Sequence, residues 1–322
     1  MQISLPNSAF LGNIDAFLRS FDPSDPGRLR ITFNPNWVSV HPIAISMTAS
    51  LGLHMKGQKK EIICDTALAK SKNYLERMGL FALLGARQKI KLQEHEPAGR
   101  FIPLTVIKGQ DELEKFIEDL VPLLHTTPSQ AEAIKYTVSE LVRNVIEHAK
   151  SPVGAVVCAQ FFKKTSRVSI GVADVGVGIR ETIGASYAVK SDGEAIKLAL
   201  VPGVTGTTAR PGGTEANAGA GLFFIKSIAQ ANRNFFVLYS GDSMYKLLKT
   251  PAQTRINLHA DPEDDRHSFL EGLPYWQGTA VGVDISVADS QNFVELLNLI
   301  RKVYRLDVRE KISQKYKKAR FI

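Results

Sequence analysis

Four groups of residues have types and spacing that can do chemistry together. Glu140, Asn144 and His148 recur at i, i+4 and i+8, which on a helix sets them on one side. A carboxylate one turn before an amide oxygen can orient a water and ligate a hard cation. Alone, Glu-x-x-x-Asn also describes an ordinary solvated helix face. Asp174-Val-Gly176-Val-Gly178 follows an apolar run. A carboxylate there can accept a hydrogen bond from an exocyclic amine, and the two glycines let the backbone turn close to a flat ring. Turns after strands use the same residues. Gly219-Ala-Gly221-Leu222 opens an apolar helical run, and the uncapped N–H groups of a helix start attract phosphates. Gly278-Thr279 opens the last strand-like run, where a hydroxyl can turn into a pocket. The chain has no G-x-x-x-x-G-K-[ST] run, which excludes a P-loop. The glycines at 219–221 lack the strand-turn-helix setting of a dinucleotide fingerprint.

The elements that must position these groups follow from periodicity. Ile134, Val138, Leu141, Val142, Val145 and Ala149 fall at helical spacing and predict a helix over 129–150, with that set facing a core. A helix over 111–124 precedes it, and strands are expected at 101–108, 153–162 and 168–175, the last two as a hairpin. The Gly/Thr-rich segment 180–218 holds no strong strand and reads as a lid-like loop. A helix at 221–232, strands at 235–240, 252–259 and 279–287, and a basic amphipathic helix from 291 complete the pattern. Helices on one face of a mixed sheet, an α/β sandwich, is the expected architecture.

The order Glu140-Leu-Val-Arg-Asn144, Asp174-x-Gly176-x-Gly178, a variable lid, Gly219-x-Gly221-Leu222 and Gly278-Thr279 resembles the GHKL ATPases, over roughly residues 101–287. That family includes gyrase B, the heat-shock chaperone ATPases, histidine kinases and MutL, and its domain is the Bergerat fold. The segment SELVRNVIEHA (139–149) is most similar to the helix of the anti-sigma-factor serine kinases. The resemblance implies ATP and Mg²⁺ as ligands. It makes Asn144 the Mg²⁺ ligand and Glu140 the candidate base. It sets Asp174 on the adenine amino group, with Gly176 and Gly178 bounding the adenine pocket. Gly219, Gly221 and Leu222 would wrap the phosphates, and Thr279 would support the base pocket. Asn217 departs from the glycine usual in histidine kinases at that point, and no phosphoacceptor helix of the histidine-kinase type precedes the region. The expected function is Mg-dependent nucleotide binding with slow ATP hydrolysis, used as a regulatory switch. Two alternatives stay open: a serine/threonine kinase acting on a STAS-type partner, and a non-catalytic interaction module.

Residues 25–90 read strand-helix-strand-helix, with strands at 28–33 and 60–65 and helices at 42–57 and 67–78. Met78-Gly79-Leu80-Phe81 at the end of that run resembles the STAS-type domain of anti-sigma-factor antagonists. Val40-His41-Pro42 stands where those proteins carry Asp-Ser-Ser-Gly, which favours docking or regulation over phosphorylation. The expected organisation is therefore a STAS-like domain over 1–95, a GHKL domain over 101–288 and a basic helical tail over 289–322. Nine Lys/Arg against two acids in 301–322 account for +7 of the chain's +8. The charge belongs to the tail, whose expected partners are water, an acidic protein or a nucleic acid. With 44% hydrophobic and 22% charged residues, wholesale disorder is excluded. Two cysteines, Cys64 and Cys158, make neither a disulfide framework nor a zinc site. No apolar run reaches the ~20 residues of a membrane span. A cytoplasmic protein with a protein partner and no membrane association is expected. Members of the GHKL family often dimerise, but no dimer-specific element stands out here.

Overall fold

The computed structural model describes residues 1–66, 68, 71–86, 101–124, 128–206, 220–287 and 293–317. The first segment forms β1 (Gln2–Leu5), β2 (Ser8–Ala9), α1 (Asp15–Arg19), β3 (Arg28–Phe33), β4 (Ser39–Val40), α2 (Pro42–Gly57), β5 (Glu61–Cys64), α3 (Lys72–Arg77) and α4 (Leu80–Leu84). The rest forms β6 (Phe101–Ile107), α5 (Gln110–Leu124), α6 (Pro128–Asn144), β7 (Ala155–Phe162), β8 (Arg167–Ala173), α7 (Gly178–Gly184), α8 (Asp192–Ala199), α9 (Gly221–Ala231), β9 (Phe236–Gly241), β10 (Ser243–Leu247), β11 (His267–Leu270), β12 (Trp276–Ser286) and α10 (Phe293–Lys317). The chain is mixed α/β, as its alternation of helical and strand periods requires. No helix among the described residues is long and apolar enough to cross a membrane.

Seven strands make the central sheet, in the order β11-β10-β9-β12-β8-β7-β6. Every neighbouring pair in it is antiparallel. This corrects the expected mixed sheet. β8 and β9 do run parallel, joined by a long helical crossover. The crossover leaves a gap of one strand, and β12 returns into it antiparallel to both. Among the described residues parallel pairing appears only in the small sheets, β1-β3-β5 and β2-β4. There α2 serves as the crossover between β3 and β5.

Both faces of the central sheet are covered, which explains its nearly continuous apolar strands. Along β7, Ala155, Val157 and Ala159 point to a core shared with Ile134, Val138, Leu141 and Val142 of α6. Val156 and Cys158 point the other way, into a core shared with Ile3, Leu5, Ile31, Ile43 and Met47. So the helices do not keep to one face. α2, buried almost all round, lies between the central sheet and the small parallel one. Two glycines admit it. Gly171 and Gly282 are register partners on β8 and β12. A Cβ on Gly171 would stand 2.2 Å from the Ile43 nitrogen, and one on Gly282 would stand 3.3 Å from the His41 ring. His41 caps α2, its Nδ1 accepting from the Ile43 N–H at 3.1 Å. Its Nε2 lies 3.4 Å from Asp284, which also accepts from the Ser169 hydroxyl. Burial alone would raise the Asp284 carboxyl, but His41, Arg167 and Ser169 outweigh it and hold the group below the usual carboxylate range.

Three expected segments differ. No strand forms at 252–259. Its carbonyls are taken by side chains of α9 and the turn after it. Lys226 donates to the His259 carbonyl at 3.1 Å, Gln230 to Asn257 at 2.8 Å and Arg233 to Thr254 at 2.9 Å. β10 and β11 fill the edge instead. β9 and β10 turn at Gly241-Asp242, with Gly241 at φ +62°. The segment 180–218 carries α8 and most of α7 in its described part. The helix expected at 67–78 is present only from Lys72, after Ser71 whose hydroxyl accepts from the Val38 N–H at 2.8 Å. Ala67, Ala69 and Lys70 lie outside the described residues, as does the linker expected at 91–100.

Candidate functional site

α6 presents Glu140 and Asn144 one turn apart, and its α-helical geometry ends at Asn144. Val145–Ala149 form a single π turn, closed by Lys150 at φ +49°. Such turns recur at functional sites because they shift the register of the side chains after them. Here the π turn aims the Ala149 carbonyl outward, where it accepts from the Val177 N–H at 2.8 Å. Gly176 passes so close that a Cβ would stand 1.9 Å from the Ala149 oxygen. The loop after β8 is therefore laid across the end of α6, and this contact is what requires glycine at 176.

That loop carries Asp174, which is 1% exposed. Its Oδ1 accepts from the Gly176 N–H at 2.7 Å. Burial pushes its carboxyl up to about 7, while the backbone N–H groups of Gly176 and Thr279 pull the other way. Gly278, at φ +104°, lets β12 pass: a Cβ there would stand 2.4 Å from the Asp174 carbonyl oxygen. The Trp276 indole donates to that carbonyl at 3.2 Å. The Asp174 N–H donates to the Thr279 carbonyl at 2.9 Å. Asp174 is thus clamped on both sides by backbone.

Asp174, Glu140, Asn144, Gly178, Gly221, Leu222 and Thr279 all line one cavity of about 320 Å³. Gly176, expected to bound the pocket, is not among its lining residues and instead holds Asp174 through its N–H. Val172 and Val281, register partners on β8 and β12, form its floor, and Leu141, Ile179, Ile183 and Val204 contribute apolar walls. At the other end, α9 begins. A Cβ on Gly221 would lie 2.9 Å from Glu140 Oε2 and 3.5 Å from Asn144 Nδ2. Ala220 precedes it with no side-chain cap, so the first N–H groups of α9 form an uncapped electropositive end. Burial raises the Glu140 carboxyl, Arg143 lowers it and Glu147 raises it again. Arg143 stands 3.5 Å from Glu140 and 3.9 Å from Glu147. Gly219 and Asn217 lie outside the described residues, as do Thr207, Thr208 and Arg210 of the expected lid.

Several lining residues carried no assigned role in the sequence. Tyr136 sits on α6 one turn before Glu140. Arg143 stood inside the quoted helix segment, and its pairing at i+3 was readable there. Thr182 and Gly206 sit together because a Cβ on Gly206 would meet the Thr182 carbonyl at 2.2 Å. Gly278, expected to open the last strand, lies two residues inside β12, and its reason is tertiary. His148 lines the cavity too, 3.8 Å from Glu147. No family model matches the chain, and no curated protein matches it.

Chemically the cavity is a slot with unlike ends. One end is a buried carboxylate that can accept from an N–H of a flat heteroaromatic ring. Its middle is apolar. The other end joins a helix start, a carboxylate and an amide oxygen, which suits an anion accompanied by a cation. Among the described residues no three His, Cys, Asp or Glu side chains gather to hold a metal by themselves.

Proposed function

We propose that this cavity binds ATP with Mg²⁺, that the chain is a GHKL-type protein, and that slow hydrolysis makes it a regulatory switch. One observation carries the reading. Residues from five separate elements, quoted from the sequence for one resemblance, converge on one slot with Asp174 at one end and Glu140, Asn144 and Gly221 at the other. In this reading Asp174 accepts from the adenine amino group, and Val172 and Val281 lie under the ring. The α9 N-terminus takes the phosphates. Asn144 supplies a single oxygen to Mg²⁺, which suits a cation that keeps its waters and phosphate ligands rather than an all-protein cage. Glu140 is the base that takes a proton from the attacking water. The STAS-like character of residues 1–95 and their regulatory role belong to the same proposal.

The test is thermal melting with and without Mg·ATP, on the wild type and Asn144→Ala. A ligand at 100 times its Kd stabilises by about 2.7 kcal/mol. A rise in the wild type that shrinks in Asn144→Ala supports the reading. No rise in either refutes it and leaves a docking protein. Label from γ-labelled ATP appearing on a STAS-type partner protein, rather than in free phosphate, would move the reading to the serine/threonine kinase.

A further inference from the structure

α10 is amphipathic on the side already in use and carries a second, smaller apolar stripe on the other. Its inner face packs Leu296, Leu297 and Ile300 with Phe223 and Phe224 of α9, and Tyr136 of α6 joins the same cluster. A surface helix with one buried stripe should be polar opposite it. Instead Leu299 is 53% exposed, Leu306 57% and Ile312 37%. Leu299 and Leu306 are spaced i, i+7 and so form one ridge. Lys302, Arg305 and Arg309 are exposed along one flank of that ridge. Lys311 is engaged elsewhere, pairing with Asp307 at 2.5 Å.

We propose that the outer face of α10 docks an acidic amphipathic helix of a partner protein. Its apolar side chains lie across Leu299 and Leu306, and its carboxylates face Lys302, Arg305 and Arg309. Charge selects this occupant. A second copy of the chain would bring the same cations against themselves, with only Glu295 and Glu310 as exposed acids on the described part of the helix. A lipid surface takes a continuous apolar face, and the continuous face of α10 is already buried on α9 and α6. Single-stranded nucleic acid is held by aromatic stacking platforms, and the exposed side chains described on α10 include no aromatic ring. Leucines at i and i+7 beside a row of cations match a helix-helix seam with a charged flank. The inference does not depend on what the cavity binds.

The experiment is a fluorescence-anisotropy titration of the full chain. The probe is a labelled synthetic helix with leucines at i, i+3, i+7 and glutamates along one flank. A scrambled peptide of equal composition is the control. The acidic helix should bind, the scrambled peptide should not, and rising salt should weaken the complex. Leu299→Ser with Leu306→Ser should weaken it about tenfold or more, because two half-buried leucines are lost. Arg305→Glu with Arg309→Glu should weaken it comparably. All four positions are exposed, so melting temperature should stay put and separate lost docking from lost folding. Equal binding of both peptides, or unchanged affinity in the leucine pair, overturns the proposal. So does tighter binding of oligo(dT) or of phosphatidylserine vesicles than of the acidic helix. Concentration-dependent dimerisation abolished by the leucine pair would overturn it in favour of a second copy.

Discussion

Asp174→Asn should make the empty protein more stable while removing its ligand. The Asp174 carboxyl stands at about 7 against an ordinary 3.8, because it is buried. The folded state therefore holds this proton more tightly than the unfolded chain. Between those values the unfolded chain is ionised and the folded carboxyl is neutral, so stability falls as pH rises through the window. At about 1.4 kcal/mol per unit, the loss approaches about 4 kcal/mol above pH 7. Asparagine is neutral at every pH and keeps an oxygen for the Gly176 N–H. The variant should thus exceed the wild type by roughly 2 kcal/mol at pH 5 and roughly 4 kcal/mol at pH 8. With an unfolding entropy of about 2.1 cal/mol/K per residue, the gap in Tm should widen from about 3 °C to about 6 °C. Scanning calorimetry at pH 5, 6.5 and 8 reads this directly. A gap that stays flat with pH, or a variant that melts lower at pH 8, refutes the argument that burial of this charge costs the fold. Mg·ATP should raise the wild-type Tm and leave the variant unmoved.

Binding should carry the mirror image of that pH dependence: adenosine, which has no phosphate to titrate, should bind about tenfold more weakly at pH 6 than at pH 8, because Asp174 must lose its proton first. Isothermal titration at the two values checks it. Glu140→Gln should keep the Mg·ATP melting shift and lower phosphate release about a hundredfold, the usual share of a general base; an unchanged rate removes Glu140 from the chemistry. Gly171→Val forces two methyls against the first turn of α2, where even a Cβ would stand 2.2 Å from the Ile43 nitrogen. Its urea midpoint should fall by an amount equivalent to about 3 kcal/mol or more, as for other overpacked cores. Lys226→Ala leaves Asp265 buried with Gln230 and Tyr245 as its side-chain partners among the described residues and should cost about 3–5 kcal/mol in the same measurement.

Where a segment's fate depends on its own residues, it was legible in the sequence. α2 was expected over the residues it occupies, and the apolar face of α6 is buried as its spacing requires. The grouping of Glu140, Asn144, Asp174, Gly178, Gly221, Leu222 and Thr279 in one cavity was legible too, from the order and spacing of short motifs. What failed depends on partners far away. Residues 252–259 have the look of a strand, but no strand neighbour reaches them, and α9 takes their carbonyls. The insertion of β12 between β8 and β9 turns a parallel crossover into an antiparallel sheet, and no local pattern announces it. Gly278 and Gly176 look like turn glycines, whereas their reason is the close passage of another chain segment.

The relation of longest reach is the one between the first segment and the cavity. Gly171 and Gly282 pair across β8 and β12 and face α2; Val172 and Val281 pair one residue on and face the cavity. Adjacent residues in a strand point to opposite faces, so the seat of α2 and the floor of the slot are two sides of the same two rungs. A movement of α2 should press on those rungs, because the first turn of the helix lies against the backbone of Gly171 and its cap stands beside Asp284 on β12 through His41. The described residues of 1–86 therefore act on the site as its back wall. A regulator that engages them would reach the cavity through the pleat of β8 and β12, with no need of a hinge in the linker. His41→Ala, which removes the cap and the contact to Asp284, should on this argument weaken Mg·ATP binding although His41 lies on the opposite face of the sheet. Isothermal titration of that variant against the wild type, at a temperature where both are folded, decides it: equal affinities would mean that the two faces are uncoupled.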